Sequence, residues 1–194
     1  VIHLTRDCDL DGERLTGDLS GQDGSSGRLL ECELVDATLD DVRLDGARLL
    51  DVRVHGGRAA SLSMSGATWQ DCLWQDVRWG AVQAGGATAT RLTVRGGRID
   101  YLLARQAQVR DLVLDGCRID ELDLAGAAVR GLRTTGVRVG RLVLRGARLT
   151  DVDLTGLTWD LLEGVDGLPG ARLTQAQVVD LAGDLAAHLG VTVV

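Results

Sequence analysis

The sequence predicts an all-β solenoid, a quadrilateral β-helix of about seven 20-residue coils with a C-terminal capping α-helix. Three observations carry this reading. From residue 27 to residue 161 a five-residue frame repeats 27 times without insertion or deletion, its centre on Leu29, Leu34, Leu39 and so on to Leu154 and Trp159. Two positions before each centre stands a second small or apolar residue, as at Cys32, Ala37, Val42 and Val152. That second position alternates small (Ala37, Ala47, Gly57) with large (Val42, Val52, Leu62), a period of ten.

The frame dictates the shape. Residues two apart in an extended chain share a face, so the centre and its partner point inward while the residue between them points out. An odd period cannot continue as a flat strand, so the chain turns after every centre. A three-sided coil of 15 residues would stack small on large, whereas a four-sided coil of 20 keeps like over like. Arg58, Arg78, Arg98, Arg118 and Arg138 recur at the same 20-residue interval. With stacked strands roughly 4.8 Å apart, the repeat body is about 30 Å long.

Composition agrees with a repeat protein: 26 glycines, one proline, no phenylalanine and 3% aromatics. The net charge of −7 argues against nucleic-acid binding through a basic field. The repeat body itself is neutral, with 18 acids and 18 arginines, but residues 27–89 hold nine acids against six arginines and residues 90–161 nine against twelve. The rod is therefore acidic toward its N-terminal end. No apolar run approaches a membrane span and no signal pattern opens the chain, which points to a cytoplasmic location. The chain starts at Val1 rather than Met, a sign of processing or trimming.

In chain order, residues 1–26 form a first coil plus loop: Cys8–Leu10 and Glu13–Leu15 fit the five-residue spacing out of phase with the later frame, and the Gly- and Ser-rich residues 16–26 absorb the slip. Residues 27–161 are the β-helix. Trp69, Trp74 and Trp79 fill three successive centres and Ala84 the fourth, so large and small offset each other in a filled core. Residues 162–173, with Pro169, are a linker. In residues 174–194, Thr174 and Gln177 make a capping-box pattern for a helix over 175–189, stopped by Gly190 and followed by a short apolar strand.

The units Ala37-Thr38-Leu39-Asp40-Asp41, Ala47-Arg48-Leu49-Leu50-Asp51 and Cys117-Arg118-Ile119-Asp120-Glu121 resemble the pentapeptide-repeat family over about 70% of the chain. The resemblance implies a right-handed β-helix. It also implies a two-fold homodimer through the C-terminal region, with Val178, Leu181, Leu185, Leu189, Val191, Val193 and Val194 as interface candidates.

Candidate chemistry is sparse. Asp7, Asp9, Asp11 and Asp18 match a calcium-loop spacing, but Arg14 stands where such a loop has an apolar anchor and no helices flank it. His3, His55 and His188 are far apart in the frame, the four cysteines occupy inward positions, and no nucleophile elbow, phosphate loop or dinucleotide fingerprint is present. A non-enzymatic protein with no cofactor is expected.

Three functions follow. The first is an interaction scaffold for a protein partner not named by the sequence, its contacts drawn from the acids Glu31, Asp36, Asp41, Asp51 and Asp71 or the arginines Arg58, Arg78, Arg98, Arg118 and Arg138. The second comes from the resemblance: quinolone-resistance members of the family imitate duplex DNA and engage DNA gyrase, a type II topoisomerase. Against it, arginine rather than Asp or Asn stands before many centres, as at Arg28, Arg43, Arg48 and Arg53, and imitation of phosphate rows needs a dense one-signed field. The third is a calcium- or ligand-binding solenoid centred on the Asp7–Asp18 segment or the tryptophan coil.

Overall fold

A computed structural model describes residues 3–192. Its strands form one continuous parallel sheet wound into about eight coils. Within the repeat body each residue pairs with the one 20 positions on: Leu29 with Leu49, Trp79 with Ile99, Ile119 with Val139. All four centres of a coil are buried, as Leu29, Leu34, Leu39 and Leu44 show, so each coil has four sides. Side 1 carries the centres Leu29, Leu49, Trp69, Ala89, Val109, Val129 and Leu149, side 2 those five residues on, and so forth to side 4. Sides 1 and 3 lie two corners apart in each coil and therefore face in opposite directions.

Most corners turn on backbone that L residues seldom adopt. At three of the four corners, the residue two after the centre has positive φ, as at Asp51 (50°) after side 1, Gly56 (66°) after side 2 and Gly46 (65°) after side 4. Asp substitutes for Gly there because its short polar side chain tolerates the left-handed region. The corner after side 3 is different: from Ser61 onward it has no left-handed residue, and strands such as Arg78–Gln83 run through it.

The first coil is more regular than its composition suggests. Asp9 pairs with Arg28 and Arg14 with Glu33, a 19-residue step, while Asp18 pairs with Thr38, a 20-residue step. The slip thus sits at one irregularity between Thr16 and Asp18, where Gly17 has φ 82°, and not across a loop of residues 16–26. Leu19 is already a buried centre, and Asp23 bridges to Arg43. Gly24 occupies the next centre; a Cβ on it would lie 3.0 Å from Leu44 and 3.3 Å from Leu4. Leu4, 2% exposed, thereby closes the N-terminal end.

The core is filled as the large-and-small pattern requires. Trp74 meets Trp69 and Trp79 edge to face, with ring centroids 5.1 and 5.0 Å apart. Trp69 stacks on Ala89 and Trp79 on Ala59. The Trp69 and Trp79 indole N–H groups have no partner among the described residues, a desolvation cost the packing of three indoles must outweigh. Cys32, Cys72 and Cys117 are buried free thiols; burial raises the pKa of all three, Cys117 to about 11.

At the C-terminal end the coil runs on through the predicted linker. Strand Leu157–Glu163 is followed by a 3₁₀ turn at Val165–Gly167, and Ala171–Arg172 pairs with Val152 and Asp153. The capping box forms: the Gln177 amide N–H donates to the Thr174 hydroxyl oxygen and the Thr174 N–H to Gln177 Oε1. The predicted single helix is instead two, α1 (Gln175–Asp180) and α2 (Ala182–His188), separated at Leu181. Leu181 turns inward, 2% exposed, and joins the core of the rod. The Gln177 side-chain amide donates to the Leu154 and Leu157 carbonyls, both at 2.8 Å. These contacts seat the cap over the last coil. No helix of the described residues is long and apolar enough to cross a membrane.

Candidate interaction surface

The five arginines at 20-residue spacing form one exposed ladder on side 3, with Arg58 paired in register to Arg78, Arg78 to Arg98, Arg98 to Arg118 and Arg118 to Arg138. Like charges stacked directly opposite repel. The upper ladder is neutralised from the row two residues on: Arg98 binds Asp100 (2.7 Å) and Asp120 (2.5 Å), Arg118 binds Asp120 (3.1 Å), and Arg138 binds Asp160 (3.0 Å). At Arg58 and Arg78 that row holds Ala60 and Gly80. A Cβ on Gly80 would come within 2.3 Å of the Ala60 carbonyl oxygen, so no carboxylate fits there. The ladder is therefore two surfaces, a lower pair of arginines that makes no ion pair among the described residues and an upper zipper of charges.

The acidic candidates share one origin. Glu31, Asp36, Asp41, Asp51 and Asp71 are all exposed corner residues at φ between 48° and 57°. Glu31, Asp51 and Asp71 follow one another along the corner after side 1, a short acidic edge. It ends at Arg91, whose guanidinium holds Asp71 and pulls that carboxyl below its ordinary pKa. On the next corner the run is Asp36, Gly56, Asp76, Gly96. Each glycine here lies directly over the preceding aspartate: a Cβ on Gly56 or Gly96 would stand 2.2 Å from the Asp36 or Asp76 carboxylate oxygen. This alternation with a 40-residue period is present in the sequence, but its meaning depends on which residue stacks on which.

The other candidates do not converge. Asp9 pairs with Arg28 at 2.9 Å, Asp18 accepts from the Ser20 N–H and hydroxyl, which lower its pKa, and Asp7 is a corner residue with φ 55°. The described residues hold no group of three or more His, Cys, Asp or Glu placed to share a metal, so Asp7, Asp9, Asp11 and Asp18 are not brought together. Beside the tryptophans the enclosed space is only about 30 Å³, room for at most a water and far below a ligand pocket. His3 and His188 are exposed at opposite ends and His55 half-buried between them.

At the cap, the interface candidates divide. Leu181 is buried and Leu185 packs partly against the core, so both serve the fold of one chain. Val178, Leu189 and Val191 are exposed, as is Val179; Val193 and Val194 lie outside the described residues.

Sequence reasoning passed over a second arginine group. Of the 21 arginines, 14 make ion pairs among the described residues. Among the described residues Arg14, Arg48, Arg58, Arg78, Arg110, Arg130 and Arg148 have no carboxylate within 4.0 Å. Arg110, Arg130 and Arg148 sit together on side 1 around a shallow groove of about 370 Å³.

The geometry defines a class: a four-sided parallel β-solenoid of pentapeptide units, with a filled core and side chains displayed in register on flat sides. No protein-family model matches the chain, and no curated protein sequence matches it. Similar solved structures include full-length QnrB1, a plasmid-mediated fluoroquinolone resistance protein. It is 15% identical over 89% of this chain and 99% of that one, with a TM-score of 0.45. Another is HetL, a pentapeptide repeat protein involved in heterocyst differentiation regulation from the cyanobacterium Nostoc sp. strain PCC 7120, 15% identical over 85% of this chain and 84% of that one, with a TM-score of 0.35.

Proposed function

We propose that this chain is a non-enzymatic interaction scaffold that binds a protein partner along its flat sides and pairs with a second copy through its C-terminal cap. The observation that carries the reading is the disposition of side chains: the inward positions are used up in a packed core, and the outward ones form exposed rows held in register by the parallel ladder. Such a body offers surface rather than an enclosed reaction site. The exposed Val178, Val179, Leu189 and Val191 supply the apolar patch for pairing.

Sedimentation velocity tests the pairing. A dimer at micromolar concentration that becomes a monomer in Leu189→Glu/Val191→Glu supports it, and a monomer at all concentrations overturns it. Capture of cellular proteins on the immobilised chain tests the scaffold: a partner released by charge changes on one side supports it, and no partner retained at physiological salt overturns it. The second reading, a DNA-imitating modulator of a type II topoisomerase, is favoured by the edge of Glu31, Asp51 and Asp71. Titration into a gyrase supercoiling assay, with and without a quinolone, decides it: inhibition or drug protection supports it, and no effect from the folded protein removes it.

A further inference from the structure

The arginines of side 1 present an unneutralised cationic strip. Arg110 and Arg130 pair in register on adjacent coils, and Arg130 pairs onward with Thr150. Arg148, one row across, pairs with Ala128. All three guanidinium-bearing residues are exposed. Stacked strands are roughly 4.8 Å apart, so Arg110 and Arg130 repel across the ladder just as the side 3 arginines do. On side 3 aspartates two residues along the strand relieve that repulsion. On side 1 the corresponding positions are Gln108 and Ala128, and the rest of the groove is Thr88, Thr90 and Thr150 over the centres Ala89, Val109 and Val129. The nearest acids stand at the corner: Asp151 is held by Arg133 at 2.8 Å and feels Arg130 only at longer range, as the least of the charges that lower its pKa, and Asp111 makes no ion pair among the described residues.

We infer that this strip on side 1 is the docking site for an extended acidic segment of a partner protein. The inference rests on the scaffold reading and names the partner's chemistry and the side it meets. Three observations select that occupant. Guanidiniums bind carboxylates bidentately, and the neighbouring Thr hydroxyls and Gln amide add uncharged hydrogen bonds suited to a peptide backbone. The strip spans three coils, long enough for a few acidic residues, whose same-face side chains repeat every ~6.8 Å in an extended chain. A phosphate backbone running beyond the strip would meet the corner acids Asp71, Asp111 and Asp151 and a chain of net charge −7.

The test is fluorescence polarisation with a labelled (Glu-Ser)₆ peptide at 50 and 200 mM NaCl, using the whole chain. The wild type is expected to bind at 50 mM and to weaken several-fold at 200 mM. Arg110→Gln/Arg130→Gln/Arg148→Gln should weaken binding at least tenfold, and Arg98→Gln/Arg118→Gln/Arg138→Gln less than twofold. A second variant, Gln108→Asp/Ala128→Asp, keeps the arginines and neutralises them in place; it too should lose at least tenfold. The inference is overturned if the wild type does not bind at 50 mM, if both arginine triples lose equally, or if a 20-base-pair duplex DNA binds more tightly than the peptide. Should cellular partners be captured equally by the wild type and the side 1 triple, this site fails while the scaffold reading stands. If nothing is captured, the scaffold reading fails whatever the peptide does.

Discussion

Sides 1 and 3 carry stacked arginines on the same ladder of strands, yet they are electrostatic opposites. On side 3 above Arg78, each guanidinium meets a carboxylate that the strand places two residues away or on the next coil. On side 1, Gln108, Ala128 and the threonines leave Arg110, Arg130 and Arg148 without a direct ion pair among the described residues. Both sides stack on the same parallel ladder and differ in which residue type occupies the outward row beside the arginine. A solenoid can therefore set the charge of one side without touching its core, and the same substitution rule can be run in reverse.

The comparison breaks most sharply where a carboxylate of this kind is buried. Asp123, on side 4, is 1% exposed between Leu103 and Val143 in its row, and it is held by Arg105 at 2.5 Å and by the Ala125 N–H. Replacing Arg105 by Ala leaves that charge without its counterion and should destabilise the fold, though by less than for a fully enclosed pair because water reaches the Arg105 side. Urea unfolding would show it as a lower midpoint at unchanged slope. Arg105→Ala/Asp123→Leu should recover most of the loss, since Leu fits the row.

Next in size is the conversion of side 3 into a copy of side 1. Asp100→Asn/Asp120→Asn removes the acids around Arg98 and Arg118 and keeps the shape. The variant should bind two (Glu-Ser)₆ peptides per chain at 50 mM NaCl, one on each side, where the wild type binds one. An unchanged stoichiometry of one would mean that stacked guanidiniums alone do not make a docking strip.

How much of this was legible in the sequence follows from what each feature depends on. The coil length was readable because volume must match through the stack: Ala37, Ala47 and Ala67 against Val42, Val52 and Val82 fix a period of ten, and Trp69 over Ala89 shows the same rule in three dimensions. The corner aspartates were legible as acids but not as corner residues, since left-handed backbone at Asp36 or Asp51 has no signature apart from the glycines that replace them at the same position in other coils. The break at Leu181 was hidden because the apolar spacing of 178–189 suits one helix equally well; the inward turn of Leu181 onto the last coil decides otherwise. Side 1 was hidden for a related reason. Arg58 to Arg138 announce themselves by an unbroken interval, whereas the state of an arginine depends on the residue two along and the coil above, as Gly80 beside Arg78 and Asp120 beside Arg98 and Arg118 show.

A smaller effect tests the reverse conversion. Gln108→Asp/Ala128→Asp gives Arg110 and Arg130 the acid neighbours that Arg98 and Arg118 have. Each new exposed pair should stabilise the fold by about 0.3 kcal/mol at low salt, read as a slightly higher urea midpoint that vanishes at 1 M NaCl. A gain that persists at high salt would point to packing rather than charge.

The smallest effect is the acid limb of stability, and it distinguishes the two sides without any ligand. Asp71 is held below its ordinary pKa by hydrogen bonding to Arg91, Asp151 by Arg133, and Glu163 by Arg141 and then Arg145. A carboxyl depressed in the fold contributes stability that is complete above its unfolded pKa, near 4, and is lost as pH falls through the lower folded value. The wild-type melting temperature should thus hold from pH 7 to 5 and decline below pH 4. Because these groups are solvent-exposed and screened, the decline should be gradual, and 1 M NaCl should flatten it. Gln108→Asp/Ala128→Asp adds two more such carboxyls on side 1, so its decline below pH 4 should be steeper than the wild type's, the two curves meeting once the acids are protonated. Parallel curves would show that the new aspartates never engage Arg110 and Arg130, and that the open state of side 1 is set by geometry rather than by the absence of acids.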